Sequence, residues 1–437
     1  MKTNEWQQIL WRVAETTDFR TMQCIEIVLL ENLMKSGKLQ LMVCIYAVLL
    51  FSCSQQQATE SSLQFDAYQL PEARSISIAG NSNGELYLAY GMEHSLYVSR
   101  SIDAGRTFSD TVLATGNSQA HILPVEKPAI AVDDSNRVAV AWLELPPNFQ
   151  GAGIWFAVSE DSGKTFNPPV LAATEDAGEV AMVQLAFDKD GHPLLAWING
   201  SSLKFTRSFD GGRSFTEAER VGGGSCECCQ PSIVVTPEDI FIAYRGLEAG
   251  GANGDIRDIL LIHSNNGGES FEEPRRVSDT NWHIPACPIA GPSMVMNNGA
   301  LFVAWMDGRF EPIGAFRRGD AWFASSNDGG KTFSTNVRIN HDQDSHHTLP
   351  VIAIGPGGRI HVAWESLSQN GGANMLYYTS SDDNGTTFAP PEIVADNSDP
   401  SLGNPGKPVL FVDTLGNVTL AWLDRTGARL AIWNDPN

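Results

Sequence analysis

The stretch that decides the fold is Ser101–Phe108, which reads SIDAGRTF. Five further segments follow the same pattern, S-x-D-x-G-x-(T/S)-F, at residues 159–166, 208–215, 264–271, 326–333 and 381–388. Their starts lie 49 to 62 residues apart, and only the fourth copy departs at the acidic position, where Asn266 replaces Asp. A motif that recurs at such a period indicates a chain built from repeated structural units.

A second motif, an apolar run that ends in Ala and an aromatic residue, keeps the same period and occurs seven times. Its instances are Ala89-Tyr90, Ala141-Trp142, Ala196-Trp197, Ala243-Tyr244, Ala304-Trp305, Ala363-Trp364 and Ala421-Trp422. We call each S-x-D-x-G-x-(T/S)-F segment a box. Each unit also has one apolar run before the Ala-aromatic pair and two more, one on either side of the box, which predicts four short strands per unit. Strands repeated in this way are typical of β-propeller blades. A small residue beside a large aromatic suits packing between blades, so we interpret the pairs as core.

The two ends of the chain are predicted to close the ring. The seventh unit begins at Pro408 and offers only three strands, the last of them ending in Arg429–Trp433. The segment Ser62–Tyr68 could supply the fourth strand, so that no edge strand stays open. We therefore predict an all-β fold, a propeller of four-stranded antiparallel blades. Seven blades are favoured, and six are the alternative if the first or last unit lies outside the ring.

The composition of the chain agrees with this architecture. Its 437 residues include 40 Gly and 23 Pro, which favours many turns over long helices. The formal net charge is -22 at pH 7, which argues against nucleic acid as a partner because such a chain repels phosphate backbones. An acidic ligand would need a local basic site. We expect the protein to be a monomer.

The N-terminal residues predict export. From Met34 two lysines precede an apolar run, Leu39–Phe51, that is too short to span a bilayer comfortably. These are the marks of a secretory signal peptide. The ending Leu50-Phe-Ser-Cys53 resembles a bacterial lipobox, which implies lipidation of Cys53 and an extracytoplasmic lipoprotein anchored to a membrane, the outer one if the host has two. The resulting division is a mis-assigned start at 1–33, a signal peptide at 34–52, a flexible tether at 53–65 and the propeller at 66–437.

The six boxes resemble the Asp-boxes, or BNR repeats, of the sialidase superfamily, over about residues 75–437. In that superfamily the box is a hairpin between the third and fourth strands of a blade, on the face away from the catalytic pocket. The physics agrees, because a short Asp side chain can accept hydrogen bonds from backbone N–H groups of its own turn, Gly supplies a positive φ, and Phe packs beneath. Asn266 can accept such a bond as well.

The same resemblance implies a cell-surface, glycan-active protein. It would be an exo-glycosidase, exo-alpha-sialidase-like, that acts on or binds acidic sugars at the propeller mouth. A sialidase grips a carboxylate with three arginines, attacks with a Tyr activated by a Glu, and uses an Asp as acid and base. Where sialidases carry an early Arg-Ile-Pro signature, this chain has Arg74-Ser75-Ile76.

Candidate site residues lie near the ends of second strands and in the loops that follow. That face of a propeller also carries the loops between blades and is where ligands usually bind. The candidate ligand-binding arginines are Arg245, Arg257, Arg309, Arg317 and Arg425. The candidate catalytic carboxylates are Asp258, Asp307 and Glu365. The alternative is that these groups pair with one another as loop salt bridges.

Four cysteines lie in two loops that lead into the first strands of units four and five. They are Cys226, Cys228, Cys229 and Cys287, and nearby loops carry His283, His346 and His347. Disulfides are the default in an oxidising compartment, and four cysteines allow three pairings. Closely spaced thiolates with imidazoles nearby also suit Cu or Zn, or thiol redox chemistry. The cluster resembles a CxCC subgroup of sialidase-like proteins, for which no function is implied.

Three functions therefore remain open. The first is a sialidase-like glycan-active protein, and the second is a non-catalytic propeller that binds a glycan or a protein. The third is a Cys/His metal or thiol redox site on the propeller scaffold.

Overall fold

The computed structural model describes residues 66–435 apart from residues 82, 146–150, 176–179, 279, 314, 316–317, 343 and 370–371. The predicted signal peptide, the predicted lipidation site Cys53 and the predicted tether lie outside these residues. Within the described part there are thirty strands and two single-turn 3₁₀ helices, at Gly251–Asn253 and Pro356–Gly358. No helix among the described residues is long and apolar enough to cross a membrane.

The strands form seven four-stranded antiparallel sheets, each a blade. The chain enters through β1 (Asp66–Pro71), which belongs to the last blade. Blade 1 comprises β2 (Ser75–Gly80), β3 (Leu86–Met92), β4 (Ser95–Ser101) and β5 (Val112–Leu113). Blade 2 comprises β6 (Ala129–Val132), β7 (Val138–Glu144), β8 (Ala152–Ser159) and β9 (Val170–Glu175). Blade 3 comprises β10 (Val180–Phe187), β11 (Pro193–Asn199), β12 (Ser202–Arg207) and β13 (Glu219–Gly223).

The second half of the ring repeats the plan with one addition. Blade 4 comprises β14 (Ser232–Val235), β15 (Ile240–Arg245), β17 (Ile259–Ser264) and β18 (Arg275–Arg276). Between β15 and β17 the chain forms β16 (Asp255–Ile256), which pairs with β19 (His283–Ile284) in a small separate sheet. Blade 5 comprises β20 (Ser293–Asn297), β21 (Ala300–Asp307), β22 (Asp320–Ser326) and β23 (Val337–Arg338). Blade 6 comprises β24 (Ser345–Ile354), β25 (Ile360–Ser368), β26 (Met375–Ser381) and β27 (Glu392–Asp396), and blade 7 comprises β28 (Gly406–Val412), β29 (Asn417–Asp424), β30 (Gly427–Asn434) and β1.

The ring is closed as the sequence predicts. The first strand of each blade contacts the first strands of both neighbouring blades, including β2 of blade 1 with β28 of blade 7. β1 pairs antiparallel with β30, from Asp66 opposite Ile432 to Pro71 opposite Gly427. The prediction of seven blades is therefore confirmed, and the outer edge of blade 7 is covered by the N-terminal strand of the same domain.

The Ala-aromatic pairs form the contacts between blades. Adjacent residues of a strand face opposite sides of its sheet, so the two members of a pair serve different interfaces. Trp305 of blade 5 packs in one cluster with Ala243 of blade 4, and Ala304 packs in the next cluster with Trp364 of blade 6. The same arrangement holds at the other five interfaces. The interpretation of these pairs as core is confirmed.

Each box lies between the third and fourth strands of its blade and is held by its own side chains. In the second copy Asp161 accepts hydrogen bonds from the Thr165 side chain (2.7 Å), the Thr165 backbone N–H (2.8 Å) and the Ser159 hydroxyl (2.7 Å). These bonds, with that of the Thr165 side chain the strongest cause, lower the pKa of Asp161 to about 2. Asn266 accepts the equivalent backbone bond from Ser270 (3.0 Å), so the fourth box keeps the same turn.

Substitutions at two adjacent glycines of the fifth box distinguish the cost of backbone strain from the cost of overpacking. Gly329 and Gly330 both have positive φ, at +71° and +76°, but a Cβ on Gly329 would meet nothing within 4 Å, whereas one on Gly330 would meet the side chain of Leu261 in blade 4. We expect Gly329→Ala to lower the free energy of unfolding by about 1–2 kcal/mol, the cost of a left-handed L-residue. Gly330→Ala should add overpacking against Leu261, for a total of about 2–4 kcal/mol. Chemical denaturation of both variants measures the difference. Equal losses of unfolding free energy would show that the box does not pack against the neighbouring blade.

Candidate functional site

A cavity of about 150 Å³ lies where the first strands of all seven blades converge. Its polar lining includes Ser77, Gln184, Gln230, Ser232 and Ser293. Lys127, Lys407 and Cys228 also line it. Because every blade contributes, the cavity is formed only by the closed ring. We call it the mouth pocket.

In five blades a residue directly before a proline, near the start of the first strand or within it, lines this pocket. These dipeptides are Lys127-Pro128, Gln230-Pro231, Gly291-Pro292, Leu349-Pro350 and Lys407-Pro408. Three first strands, β10, β24 and β28, contain a β-bulge. The bulge residues Met182, Leu349 and Lys407 have positive φ. Such bulges turn a side chain away from its regular direction. The mouth residues are therefore set by local backbone irregularity.

Lys127 and Lys407 bring positive charge to the pocket of a strongly acidic chain. The Lys127 ammonium donates to the Pro408 carbonyl (2.8 Å), and the Lys407 ammonium lies 3.4 Å from the Glu365 carboxylate. Burial, and secondarily the charge of Lys407, lowers the pKa of Lys127 to about 8. Next to it, Glu126 accepts the Met182 N–H (2.8 Å), and burial raises the pKa of Glu126 to about 7. Burial therefore brings the pKa values of Lys127, which lines the pocket, and of its neighbour Glu126 closer to neutrality.

The sequence analysis did not identify these two lysines. A signal was nonetheless present, because Lys-Pro occurs where two different units begin their first strand. Lys127 lies two residues before β6 and Lys407 is the second residue of β28, so both stand at the entry of a first strand. In a propeller that entry lies at the mouth.

The four predicted cysteines do come together. Their sulfurs all lie within 4.8 Å of one another. Cys228 and Cys287 are joined by a disulfide that links the loops before blades 4 and 5, and these two residues are partly exposed. Cys226 and Cys229 are free and buried, at 0% and 1% exposure, with their sulfurs 2.7 Å apart. The cluster thus holds one disulfide and two thiols side by side.

Two buried arginines lie against the cluster. Arg257 donates to the Cys226 sulfur (3.0 Å) and has longer contacts with Asp255 (3.7 Å) and Glu227 (4.0 Å). The pKa of Cys226 is lowered to about 7 because the Cys229 thiol donates to its sulfur and because the charges of Arg245 and Arg257 are near. Burial, together with the neighbouring Cys226 sulfur, raises the pKa of Cys229 well above its usual value. The surroundings therefore favour the thiolate form of Cys226 and the thiol form of Cys229.

Arg245, predicted as a ligand-binding residue, is 1% exposed and has a structural placement. Its guanidinium donates to the backbone carbonyls of Ala290 (2.8 Å), Arg257 (2.7 Å) and Met306 (2.6 Å). These carbonyls lie in three segments of blades 4 and 5 or their loops. Arg245 therefore ties the two blades together below the cysteine cluster.

The three candidate catalytic carboxylates have separate partners. Asp258 accepts from Arg276 (2.5 Å) and from the backbone N–H groups of Asn281 (2.9 Å) and Trp282 (3.1 Å). Asp307 pairs in bidentate fashion with Arg309 (2.6 and 2.8 Å) and accepts from the Trp305 indole (2.8 Å). Glu365 accepts from the backbone and ammonium of Lys407. Of the three, Glu365 is the one whose partner lines the mouth pocket.

The remaining candidate arginines are likewise dispersed. The Arg309 guanidinium stacks over the Trp322 ring at 3.6 Å, while Arg425 is exposed and donates to the Pro400 carbonyl (3.4 Å). Arg317 lies outside the described residues. Among the arginines whose placement is described, these partners do not form a three-arginine grip on one carboxylate.

The candidate histidines do not join the sulfurs. Within the described ranges the group of possible metal ligands at this place consists of the four cysteines alone. His283 contacts the Gly254 carbonyl (3.3 Å), His346 accepts the Gly319 N–H (2.8 Å), and His347 accepts the Trp364 indole N–H (3.0 Å). Burial lowers the pKa of His346 to about 4 and also lowers that of His347. Both are therefore neutral at physiological pH.

Comparison with known proteins agrees with the architecture. An ulvan lyase of polysaccharide lyase family PL25, solved bound to a GlcA(1-4)Rha3S repeat, has a TM-score of 0.54 at 12% identity, covering 85% of this chain and 96% of the lyase. The polysaccharide lyase Uly1 has a TM-score of 0.52 at 10% identity, covering 87% and 93%. The Hadza microbial sialidase Hz136 has a TM-score of 0.43 at 15% identity, covering 68% of this chain and 66% of the sialidase. No curated protein is detectably similar in sequence.

The sequence itself matches one family model, the BNR repeat-like domain, over residues 227–413. That segment runs from the cysteine loop before blade 4 into the first strand of blade 7. The chain is therefore a seven-bladed β-propeller, and over residues 227–413 it is similar to the BNR repeat-like domain.

Proposed function

We propose that this protein is a cell-surface glycan-binding propeller that holds an acidic sugar in the mouth pocket. The observation that carries the proposal is the pair of lysines, Lys127 and Lys407, that line a pocket whose other polar side chains are amides and hydroxyls. Amides and hydroxyls suit sugar hydroxyls, and the two cations suit a carboxylate or sulfate. A volume of about 150 Å³ admits one sugar residue rather than a long chain segment.

Binding, rather than sialidase-type hydrolysis, is the activity that the arginine partners support. The described candidate arginines are engaged with backbone carbonyls, with Asp307 or with the Cys226 sulfur. A carboxylate grip built from guanidiniums would require them to leave these partners. Lys127 needs no such change, because its ammonium donates to a neutral carbonyl, whereas Lys407 would share its charge between the ligand and Glu365.

The fold comparison supports the same class of ligand. The ulvan lyase that shares the fold was solved with a bound glucuronate and sulfated rhamnose repeat, an acidic glycan. We infer that an oligosaccharide of that chemistry is the right first ligand to test here. The predicted lipid anchor at Cys53 would present the pocket at the cell surface.

Lys127→Gln and Lys407→Gln are expected each to weaken binding of a GlcA-Rha3S oligosaccharide by about tenfold, the loss of one charge-assisted hydrogen bond. Binding of a neutral rhamnose oligosaccharide should change little. Isothermal titration calorimetry measures both. The affinity of the unaltered protein should also fall from about pH 7 to about pH 9.5, because the cationic form of Lys127 is lost as the pH rises through its lowered pKa.

Lys189→Gln is the matched control, because Lys189 is half exposed and pairs with Asp190 on a surface turn. It should leave the affinity unchanged. Lys127→Gln should also remove most of the pH dependence above neutrality. Equal affinity for acidic and neutral oligosaccharides, or hydrolysis of a fluorogenic sialoside by the unaltered protein, would contradict the proposal.

A further inference from the structure

The cysteine cluster combines an accessible disulfide with a hidden dithiol. Cys228 faces the mouth pocket and is bonded to Cys287, which is also partly exposed. Cys226 and Cys229 are fully buried behind them. A pair of disulfides that only fastened two loops would leave no thiols, so the observed combination needs a different explanation.

The distances suit sulfur exchange. The Cys226 sulfur lies 3.4 Å from Cys287 and 4.0 Å from Cys228, so it is closer to Cys287. The Cys229 sulfur lies 2.7 Å from Cys226 and 4.0 Å from Cys287. A thiolate attacks a disulfide at one sulfur and displaces the other. Cys226 is placed to attack Cys287, and Cys229 is placed to attack Cys226.

The surrounding charge favours an anion at the Cys226 sulfur. Arg245 and Arg257 are 1% and 5% exposed, and the Arg245 hydrogen bonds go to three uncharged carbonyls. A buried guanidinium is costly unless a negative charge lies near it. The acidic contacts of Arg257, with Asp255 and Glu227, are at 3.7 and 4.0 Å, longer than its 3.0 Å hydrogen bond to Cys226. A Cys226 thiolate places a negative charge at hydrogen-bond distance from Arg257, whereas a disulfide sulfur would not.

We propose that the four cysteines form a thiol–disulfide exchange centre that passes two electrons between the protein interior and the mouth pocket. In the first step the Cys226 thiolate attacks the Cys287 sulfur, the Cys226–Cys287 bond forms, the Cys228–Cys287 bond breaks, and Cys228 leaves as a thiolate. In the second step Cys229, after giving up its proton to Cys228, attacks the Cys226 sulfur. The Cys226–Cys229 bond forms and Cys287 leaves as a thiolate.

The exchange changes which sulfurs are reactive at the surface. Before it, the partly exposed pair is oxidised; after it, that pair is a dithiol and the buried pair is the disulfide. The total oxidation state is the same, so the internal step needs no added reagent. The substrate of the exchanged form is a small external disulfide, which it reduces. Cys228 attacks one of its sulfurs and releases one thiol, and Cys287 then displaces the second thiol and restores the Cys228–Cys287 bond.

Timed alkylation of the full chain tests the internal exchange. Iodoacetamide is added to the folded protein, the reaction is quenched in acid, and peptide mass mapping reads each cysteine separately. Cys228 and Cys287 are expected to become labelled despite their disulfide, at a rate that rises with pH until the Cys226 thiolate is fully formed. In Cys226→Ser neither should be labelled. In Cys229→Ser only the first step is possible, so Cys228 should be labelled and Cys287 should not.

Arg257→Gln keeps all four sulfurs and should slow the labelling of Cys228 about tenfold at neutral pH, because it removes a cation that favours the thiolate. Circular dichroism and thermal melting establish that each variant is folded. Three results would overturn the proposal. One is equal labelling in the unaltered protein and Cys226→Ser, and another is a chain with both disulfides formed and no labelled cysteine among the four. The third is one bound metal ion per chain with all four cysteines protected until a chelator is added.

Discussion

Replacing Arg245 by methionine should lower the free energy of unfolding by about 3–5 kcal/mol, the usual cost of removing one partner from a buried charged network. The methionine side chain keeps much of the apolar stem, so the loss comes mainly from the guanidinium. Three buried carbonyls, those of Ala290, Arg257 and Met306, would lose their donor at once. Since they lie in different segments, one small shift of the backbone cannot satisfy all of them. Denaturant unfolding at neutral pH measures the effect.

Two further variants show which property of Arg245 matters. Arg425→Met is the matched control, because Arg425 is exposed, and its unfolding free energy should stay within about 0.5 kcal/mol of the unaltered protein. Arg245→Lys keeps the charge but replaces the planar fork by a point donor, so we expect a loss smaller than that of methionine. If Arg245→Met unfolds within about 1 kcal/mol of the unaltered protein, the arginine does not brace blades 4 and 5.

The placement of Arg245 connects the fold with the cysteine cluster. The loop that carries Cys226 is fixed to blade 4 by a backbone hydrogen bond from Cys226 to the Arg245 carbonyl (2.9 Å). The Arg245 side chain, in turn, holds the segment that follows Cys287 through Ala290. One residue therefore positions both cysteine loops while its charge favours a thiolate between them. This dual role explains why a cationic group is kept in the interior.

The sequence was sufficient to predict the architecture because the architecture repeats. Each box contains the groups that form its own turn, as Asp161 and Thr165 do, so the pattern can be recognised without its neighbours. Each Ala-aromatic pair likewise repeats the same interface. The fourth strand of blade 7 was also predictable, because a unit with three strands leaves an edge that another segment must cover. The predicted segment overlaps β1, which the structure places at Asp66–Pro71.

The candidate site was less predictable because it is built from differences between the units. Lys127 and Lys407 belong to units two and seven, yet they meet because first strands converge on one axis. The position of Lys407 further depends on a bulge with φ of +58°, which a regular strand pattern does not indicate. The clustering of the four cysteines was predictable from their loops. Which two would be bonded was not, since three pairings were possible.

The mouth pocket brings the two proposed activities into contact. Cys228 lines the same cavity as Lys127 and Lys407. We therefore expect a ligand held by the lysines to cover Cys228 and to slow its alkylation. The glycan site and the exchange centre remain separable by experiment, because the lysine variants retain all four cysteines and the cysteine variants retain both lysines.

Trp305→Ala is expected to cost about 3–5 kcal/mol of unfolding free energy, the range for truncating a buried large aromatic. Trp305 is fully buried and fills the interface of blades 4 and 5, where Ala243 leaves room for it. Its indole also donates to Asp307 (2.8 Å), so the variant removes one partner of that buried carboxylate. Thermal and denaturant unfolding measure the loss.

Two companion variants divide that loss into its parts. Trp305→Phe keeps most of the apolar volume and removes only the indole donor, so its cost should be about 1–3 kcal/mol, the price of one lost hydrogen bond to a charged group. Phe310→Ala truncates an aromatic side chain that is 63% exposed and should change stability little. Because each aromatic residue packs with the alanine of the preceding blade, a cavity at one interface should loosen the ring as a whole. If Trp305→Ala unfolds like Phe310→Ala, the Ala-aromatic pairs do not hold the blades together, and the physical account of the closed ring would have to be replaced.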